Sequence, residues 1–260
     1  MTTKRMIHVR TKRAAIAALL ALAASLAWPA REPDLGEGAN AIVAGTNALR
    51  RSHGLESLTL EARLAATARD FALYLARTDV FEHTADGRHP QDRVRAHGYD
   101  YCLVAENIGY EYRSRGFATD ELAHALVQGW ARSPEHRKNM LDRDATEIGV
   151  ALARSPRTGR YYGVQVFGRP HSASIQFQVE NRARRAVAYR IGTRPFTLEP
   201  RVIRTHRECG ASELSMELAN ESPLRIPLRD RDSFAVVDER GRLALRRLPR
   251  RLRRSCQLLH

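Results

Sequence analysis

Cysteine, lysine and long apolar runs are scarce in this chain. Its three cysteines, Cys102, Cys209 and Cys256, exclude a fully paired disulfide scaffold and leave one thiol over. Lysine occurs only as Lys4, Lys12 and Lys138, so nearly all positive charge is guanidinium. Beyond residue 27 no apolar stretch is long enough to cross a bilayer. No G-x-S-x-G is present, which excludes a nucleophile elbow. No Cys–His spacing supports Cys102 as a thiol nucleophile. No internal repeat occurs, so the chain is not a solenoid or array. Its basic stretches lack a reading helix and stacking aromatics, which argues against nucleic acid as a partner.

What is present begins with a basic start (Lys4, Arg5, Arg10, Lys12, Arg13) and an apolar run from Ala14 to Ala27. The run is short for a membrane span and ends in small residues. Residues 1–27 therefore read as a signal peptide, and the mature protein as exported, periplasmic or extracellular. An uncleaved N-terminal anchor is the alternative. Export implies an oxidising compartment and one disulfide. Cys209 with Cys256 is the expected pair, because both lie in the last third. Cys102 supplies the rival pairing, which would tie two regions together. The net charge of +14 is unevenly placed. Residues 28–171 hold 19 basic and 19 acidic residues, whereas 172–260 hold 19 basic and 10 acidic.

Apolar periodicity divides the chain further. Residues 28–39 read as a polar linker, and a helix is expected from Asn40 to His53. A second is expected over Glu61–Thr78, with Leu64, Ala68, Phe71 and Leu75 inward. A short helix follows from Pro90, then a β-like segment over Tyr101–Tyr110. Leu122, Leu126 and Trp130 make Thr119–Trp130 helical. Ser133 is an N-cap type and Pro134 suits a first helical position, so a short helix carries His136 in its first turn. The positive end of that helix is expected to keep the imidazole neutral. Residues 147–153 and 161–167 alternate about a Ser-Pro-Arg-Thr-Gly turn and read as an antiparallel hairpin. Past Pro170 the texture changes to short alternating segments separated by turns, the pattern of a small all-β sandwich. The expected fold class is α+β, with domains at 40–169 and 172–260.

Several short motifs follow one another in a fixed order. They are Asn47-x-x-Arg50 with Gly54; His83 with Gly87, Pro90, Arg93 and Gly98-Tyr99; Ala105-Glu106-Asn107-Ile108; Trp130-x-x-Ser133-Pro-x-His136-x-x-Asn139-Met-Leu; Ile148-Gly-Val150; and Val166-Phe-Gly168. In this series the chain resembles the CAP superfamily of cysteine-rich secretory, antigen 5 and pathogenesis-related 1 proteins, in its bacterial SCP-like branch. The resemblance implies an α-β-α sandwich with a central antiparallel sheet and a cleft. It implies two His and two Glu in that cleft, often around a divalent cation such as zinc. Carried over, His83, Glu106 and His136 match as metal ligands and as catalytic candidates. Where the family's second acid usually sits, this chain has Ser133. Asn107 and Asn139 fall beside the cleft. The family has no agreed general catalysis, and its implied ligands are lipids, peptides or wall components.

The sequence thus favours an exported envelope protein binding a ligand, with a Zn2+ ion as a further expectation. A His- or metal-dependent hydrolase acting on ester, peptide or cell-wall bonds is one alternative. A non-catalytic module binding envelope polyanions through the arginine run Arg246–Arg254 is the other.

Overall fold

A computed structural model describes residues 32–217 and 223–249. The expected signal peptide, Cys256 and Arg250–Arg254 lie outside the described residues.

The first helix, α1, spans Leu35–Ser52. It begins five residues before the expected Asn40, so the last five residues of the supposed linker are helical. The reason is Asp34, whose carboxylate accepts from the N–H groups of Gly36 and Glu37 and so caps the open turn. Helix α2 (Ala62–Thr78) follows a two-residue strand β1 (Thr59–Leu60). Helix α3 (Pro90–Ala96) precedes the long strand β2 (Tyr101–Glu111). Helices α4 (Thr119–Arg132) and α5 (Pro134–Met140) come next, then the hairpin β3 (Glu147–Arg154) and β4 (Tyr161–Pro170).

These four strands form one sheet in the order β1-β3-β4-β2. Pairing is antiparallel except for the short parallel contact of β1 with β3. Ile148, Val150 and Leu152 of β3 pack with Ile42, Leu122, Leu126 and Trp130 of α1 and α4. Ala151 and Ala153, one residue out of phase, pack with Leu64, Phe71 and Leu75 of α2 on the opposite face. The period-2 pattern of one strand therefore feeds both helical layers. Gly149 lets α2 lie directly on the sheet, since a Cβ there would meet the Leu64–Ala65 backbone at 2.1 Å.

The motif residues near α1 are structural. The Asn47 amide bonds both the N–H and the C=O of Leu58, at 2.8 and 3.0 Å. The Arg50 guanidinium is buried and donates to the carbonyls of Glu56, Met140, Asp142 and Ala145. It fastens the loop after α5 to α1.

Eight short strands follow: β5 (Ile175–Asn181), β6 (Val187–Ile191), β7 (Arg194–Leu198), β8 (Ile203–Glu208), β9 (Glu213–Met216), β10 (Leu224–Pro227), β11 (Ser233–Glu239) and β12 (Arg242–Arg247). They form sheets β10-β9-β6-β7 and β12-β11-β5-β8. The two sheets enclose Phe177, Val179, Val187, Tyr189, Leu198, Leu214, Phe234 and Val236. Two of these strands, β10 and β12, were not anticipated. The expected free run from Arg246 is shortened as a result. Arg246 pairs with Glu239 at 2.6 Å and Arg247 with Asp232 at 3.2 Å while both finish β12.

The disulfide corrects the expected pairing. Cys102 is bonded to Cys209, and not Cys209 to Cys256. Proximity in sequence misled here. A bulge at the start of β2 brings Cys102 within 5.4 Å (Cα–Cα) of Cys209, which follows β8. The bond joins the α-β-α part to the β part. Beside it, Asp144 accepts from the N–H of Ala211.

Candidate functional site

Strand β2 lies at the edge of its sheet, so alternate backbone groups point away from β4. Two of its outward carbonyls are met by side chains of α4 and α5. Asn139 donates to the Glu106 carbonyl at 3.2 Å, and the Trp130 indole to that of Ile108 at 3.0 Å. The covered edge is where the expected site residues gather.

Glu106 points to the α2–α3 side, and its side chain is 1% exposed. Arg93 of α3 donates to both carboxylate oxygens, at 2.9 and 2.8 Å. The same guanidinium donates to Asp86 and to the His83 carbonyl, and lies 3.6 Å over Phe71. Arg93 thus staples the loop 81–89 onto β2. The second partner of the Glu106 carboxylate is His83, whose Nδ1 lies 2.8 Å from Oε1. With the carboxylate accepting, Nδ1 is the donor, and in the neutral imidazole Nε2 keeps its lone pair. The His83 side chain is 48% exposed, so that free nitrogen is open to solvent.

Asn107, the next residue, points to the other face. Its amide donates to the His136 carbonyl at 3.1 Å and to Gln165 at 3.1 Å. Its oxygen accepts from Asn139 at 2.9 Å. Gln165 continues to Thr46, and Thr46 to the Ile42 carbonyl. This buried chain links α5, β2, β4 and α1, and every member is paired, the condition for a polar network to rigidify a core. It anchors α5 beside Glu106.

His136 is held below the usual imidazole range, first by burial and then by the nearby His83. The direction is the one expected from helix polarity, with burial as its first cause. The structure thus brings His83, Glu106 and His136, with Asn107 and Asn139, to one stretch of β2. Ser133 sits at the N-cap position of α5, yet its side chain makes no capping bond. Cys102 is consumed in the disulfide and offers no thiol.

The residues do not fit a zinc centre built by the protein alone. Such sites draw three or four protein donors. Glu106, expected as a third ligand, has its oxygens committed to Arg93 and His83. Among the described residues no group of three or more His, Cys, Asp or Glu is arranged to hold a metal. The cluster supplies two imidazoles, one of them oriented by a buried carboxylate.

Sequence reasoning missed Gln165, Thr46, Asp86 and Phe81. Gln165 had a signal, since it interrupts the apolar run of β4. Phe81 had none, because its role depends on meeting Tyr110 edge-on, with ring centroids 5.0 Å apart. Both rings are exposed, at 39% and 41%, and lie along the same side of β2 as Glu106.

An α-β-α sandwich with paired imidazoles at its sheet edge, extended by a β-sandwich, is the class of protein this geometry defines. Residues 43–167 match the family model described as CAP, the cysteine-rich secretory protein family. Over 115 residues the chain is 31% identical to the uncharacterized protein YkwD of Bacillus subtilis, covering 44% of this chain and 42% of that protein. Over 117 residues it is 29% identical to the uncharacterized membrane protein YlbC of the same organism, covering 45% and 32%. The chain therefore spans less than half the length of these two relatives. Among solved structures, an outer surface protein from Borrelia burgdorferi superposes with a TM-score of 0.47 and 20% identity, covering 53% of this chain and 96% of that one. An extracellular SCP-domain protein from Bacillus anthracis gives 0.44 and 24%, covering 52% and 41%.

Proposed function

We propose that this chain is an exported, non-catalytic binding protein that takes its ligand against the exposed edge of β2. The observation that carries the proposal is the Arg93–Glu106–His83 relay, which fixes one imidazole with Nε2 outward. In the neutral imidazole that Nε2 accepts hydrogen bonds, and His136, held below the usual imidazole range, stands nearby. Phe81 and Tyr110, both partly exposed and packed edge-on, lie on the same side of β2. That combination suits a ligand carrying hydroxyl or amide N–H groups on an apolar frame, the chemistry of peptides and wall glycans. The disulfide supports export, because such bonds persist in oxidising compartments. No helix of the described residues is long and apolar enough to cross a membrane.

Hydrolysis is the lesser reading. No serine, threonine or cysteine side chain is bonded to His83 or His136 among the described residues, and two imidazoles do not complete a metal centre. The test is a panel of soluble muropeptides, peptides and esters offered to the purified chain. Binding without turnover is expected, weakened about tenfold by His83→Ala, in line with loss of one buried-partner hydrogen bond. Turnover abolished by His136→Ala would replace binding with hydrolysis.

A second site favours an apolar ligand. A groove of about 520 Å3 runs between α1 and α4, its floor of small residues such as Gly45, Ala48 and Ala123 bordered by Ser52, Asp120, His124 and Gln128. Small side chains leave room for an alkyl chain. Gly45→Leu, whose added atoms point at Val127, is expected to abolish fatty-acid binding measured by displacement of a fluorescent fatty acid. Unchanged displacement would remove this reading.

A further inference from the structure

We infer that the far tip of the β-sandwich is a docking surface for anionic phospholipid headgroups. Three turns meet there. The β5–β6 turn carries Arg184 and Arg185, the β7–β8 turn carries Arg201, and the β11–β12 turn carries Arg240 followed by Arg242. All five arginines are exposed, and none of their guanidinium groups has a partner among the described residues.

The clustering is built by the backbone. Asn181, fully buried at the end of β5, donates from its amide to the carbonyls of Arg185 and Leu198, and accepts from the N–H of Ala183. Its own backbone bonds Arg201 and Val202, at 2.8 and 2.9 Å. One side chain therefore stitches the first two turns together. Asn181 is also in register with Val236 of β11, so the β11–β12 turn projects past the same end. Arg201 and Arg240 both adopt left-handed backbone, with φ of 65° and 55°. Glycine or asparagine is the usual occupant of such positions.

Charge alone would suit any polyanion. The neighbouring residues select a bilayer. Val202 and Ile203 are 39% and 55% exposed, and they are the only large exposed hydrophobics in the described β part. They lie between the arginines, where a basic surface with an apolar insertion matches an anionic membrane interface. The acidic residues at this end are Glu199 and Asp238, both exposed, with Asp238 accepting from the Gly241 N–H, while Glu180 pairs with Arg182 and Glu239 with Arg246. The surface remains net positive. Among the described residues of the β part no aromatic ring is exposed for base stacking, so single-stranded nucleic acid is disfavoured.

This tip is separate from the arginine run at the C-terminus. Strand β12 starts at the tip with Arg242 and leads away from it. Its continuation, Leu248, bonds to Ser233 at the other end of β11.

The test is flotation of the full chain with phosphatidylcholine vesicles and with equimolar phosphatidylcholine–phosphatidylglycerol vesicles. Binding to the neutral vesicles measures the contribution of the Ala14–Ala27 run, and the increment with phosphatidylglycerol measures the headgroup term. Replacing four tip residues together (Arg184→Gln, Arg185→Gln, Arg240→Asn, Arg242→Gln) is expected to reduce that increment about tenfold or more. Val202→Thr with Ile203→Thr is expected to reduce it about threefold. Neutralising Arg250, Arg251, Arg253 and Arg254 is expected to leave most of it. An unchanged increment in the tip variant overturns the inference, and so does loss confined to the C-terminal variant. Tip-dependent binding of single-stranded DNA without any vesicle increment would reassign the surface to nucleic acid. None of these arms touches His83 or His136, so the result is independent of the ligand-binding proposal.

Discussion

Through the first core runs a line of hydrogen-bonded polar groups, from Asn139 through Asn107 and Gln165 to Thr46. Through the second, between the two β-sheets, runs an aromatic cluster with a single imidazole at its centre. His206 stacks on Phe177, meets Phe196 and Tyr189 edge-on, and shares a hydrogen bond with the Tyr189 hydroxyl. The difference tracks what each region must hold in place. The α-β-α part has to fix side chains from separate elements against one strand, and directional bonds do that. The β part keeps its two sheets together mainly by apolar and aromatic packing, with directional bonds such as those of Asn181 placed at its turns. Charge follows the same division. The first region balances acids against bases, and the second carries the surplus arginine outward.

Breaking the link between the regions should have the largest effect. Cys102→Ser with Cys209→Ser opens a bond spanning 107 residues of sequence. Chain-entropy reasoning gives a loss of up to about 5 kcal/mol. Urea unfolding of the oxidised and mutant proteins measures it, and separate transitions for the two regions are expected once the bond is gone. Arg93→Met comes next, because it leaves the buried Glu106 without its arginine and takes one of two arginines from Asp86. A loss of about 3–5 kcal/mol is expected, with Arg93→Lys recovering part of it. A drop under 1 kcal/mol would show that Glu106 finds other partners.

The β core has its own lever in pH. Burial, with Arg204 and Arg194 adding to it, pushes the His206 imidazole down to about 4. The unfolded chain titrates near the ordinary value of about 6.5, so between these values the unfolded state binds the extra proton. Stability is then complete above about pH 6.5 and falls as pH drops toward 4, by up to about 3 kcal/mol. His206→Phe should flatten that slope in denaturation series at pH 7 and pH 5. His136 acts in the same direction over a window opening below its ordinary value. In the first core, Asn107→Leu should cost about 1–3 kcal/mol by stranding Asn139 and Gln165. A neutral result would mean that the amide line is ornamental to stability. Ser133→Ala should be the smallest change, within about 0.5 kcal/mol, since the hydroxyl makes no capping bond. A loss near 1 kcal/mol, typical of a working cap, would contradict the observed geometry.

By itself the sequence determined the helices α2 to α5, the β3–β4 hairpin, the change of texture after Pro170 and the α+β class. Those features depend on periodicity and on turn residues such as Gly159, which act within a few residues of each other. It also carried His83, Glu106 and His136 as candidates, because the motif order brackets them. What each of them does was decided only in three dimensions. Glu106 became an orienting partner because Arg93 reaches both its oxygens, and His136 is held below the usual imidazole range first by burial. Cys209 found Cys102 because a bulged strand and a β-sandwich turn come within bonding distance. The arginines of the tip were scattered over 59 positions of sequence, from Arg184 to Arg242, until Asn181 drew their turns together. Local structure follows from neighbours along the chain, whereas ligation, ionisation and surface charge density follow from neighbours in space. Only the folded chain chooses the latter.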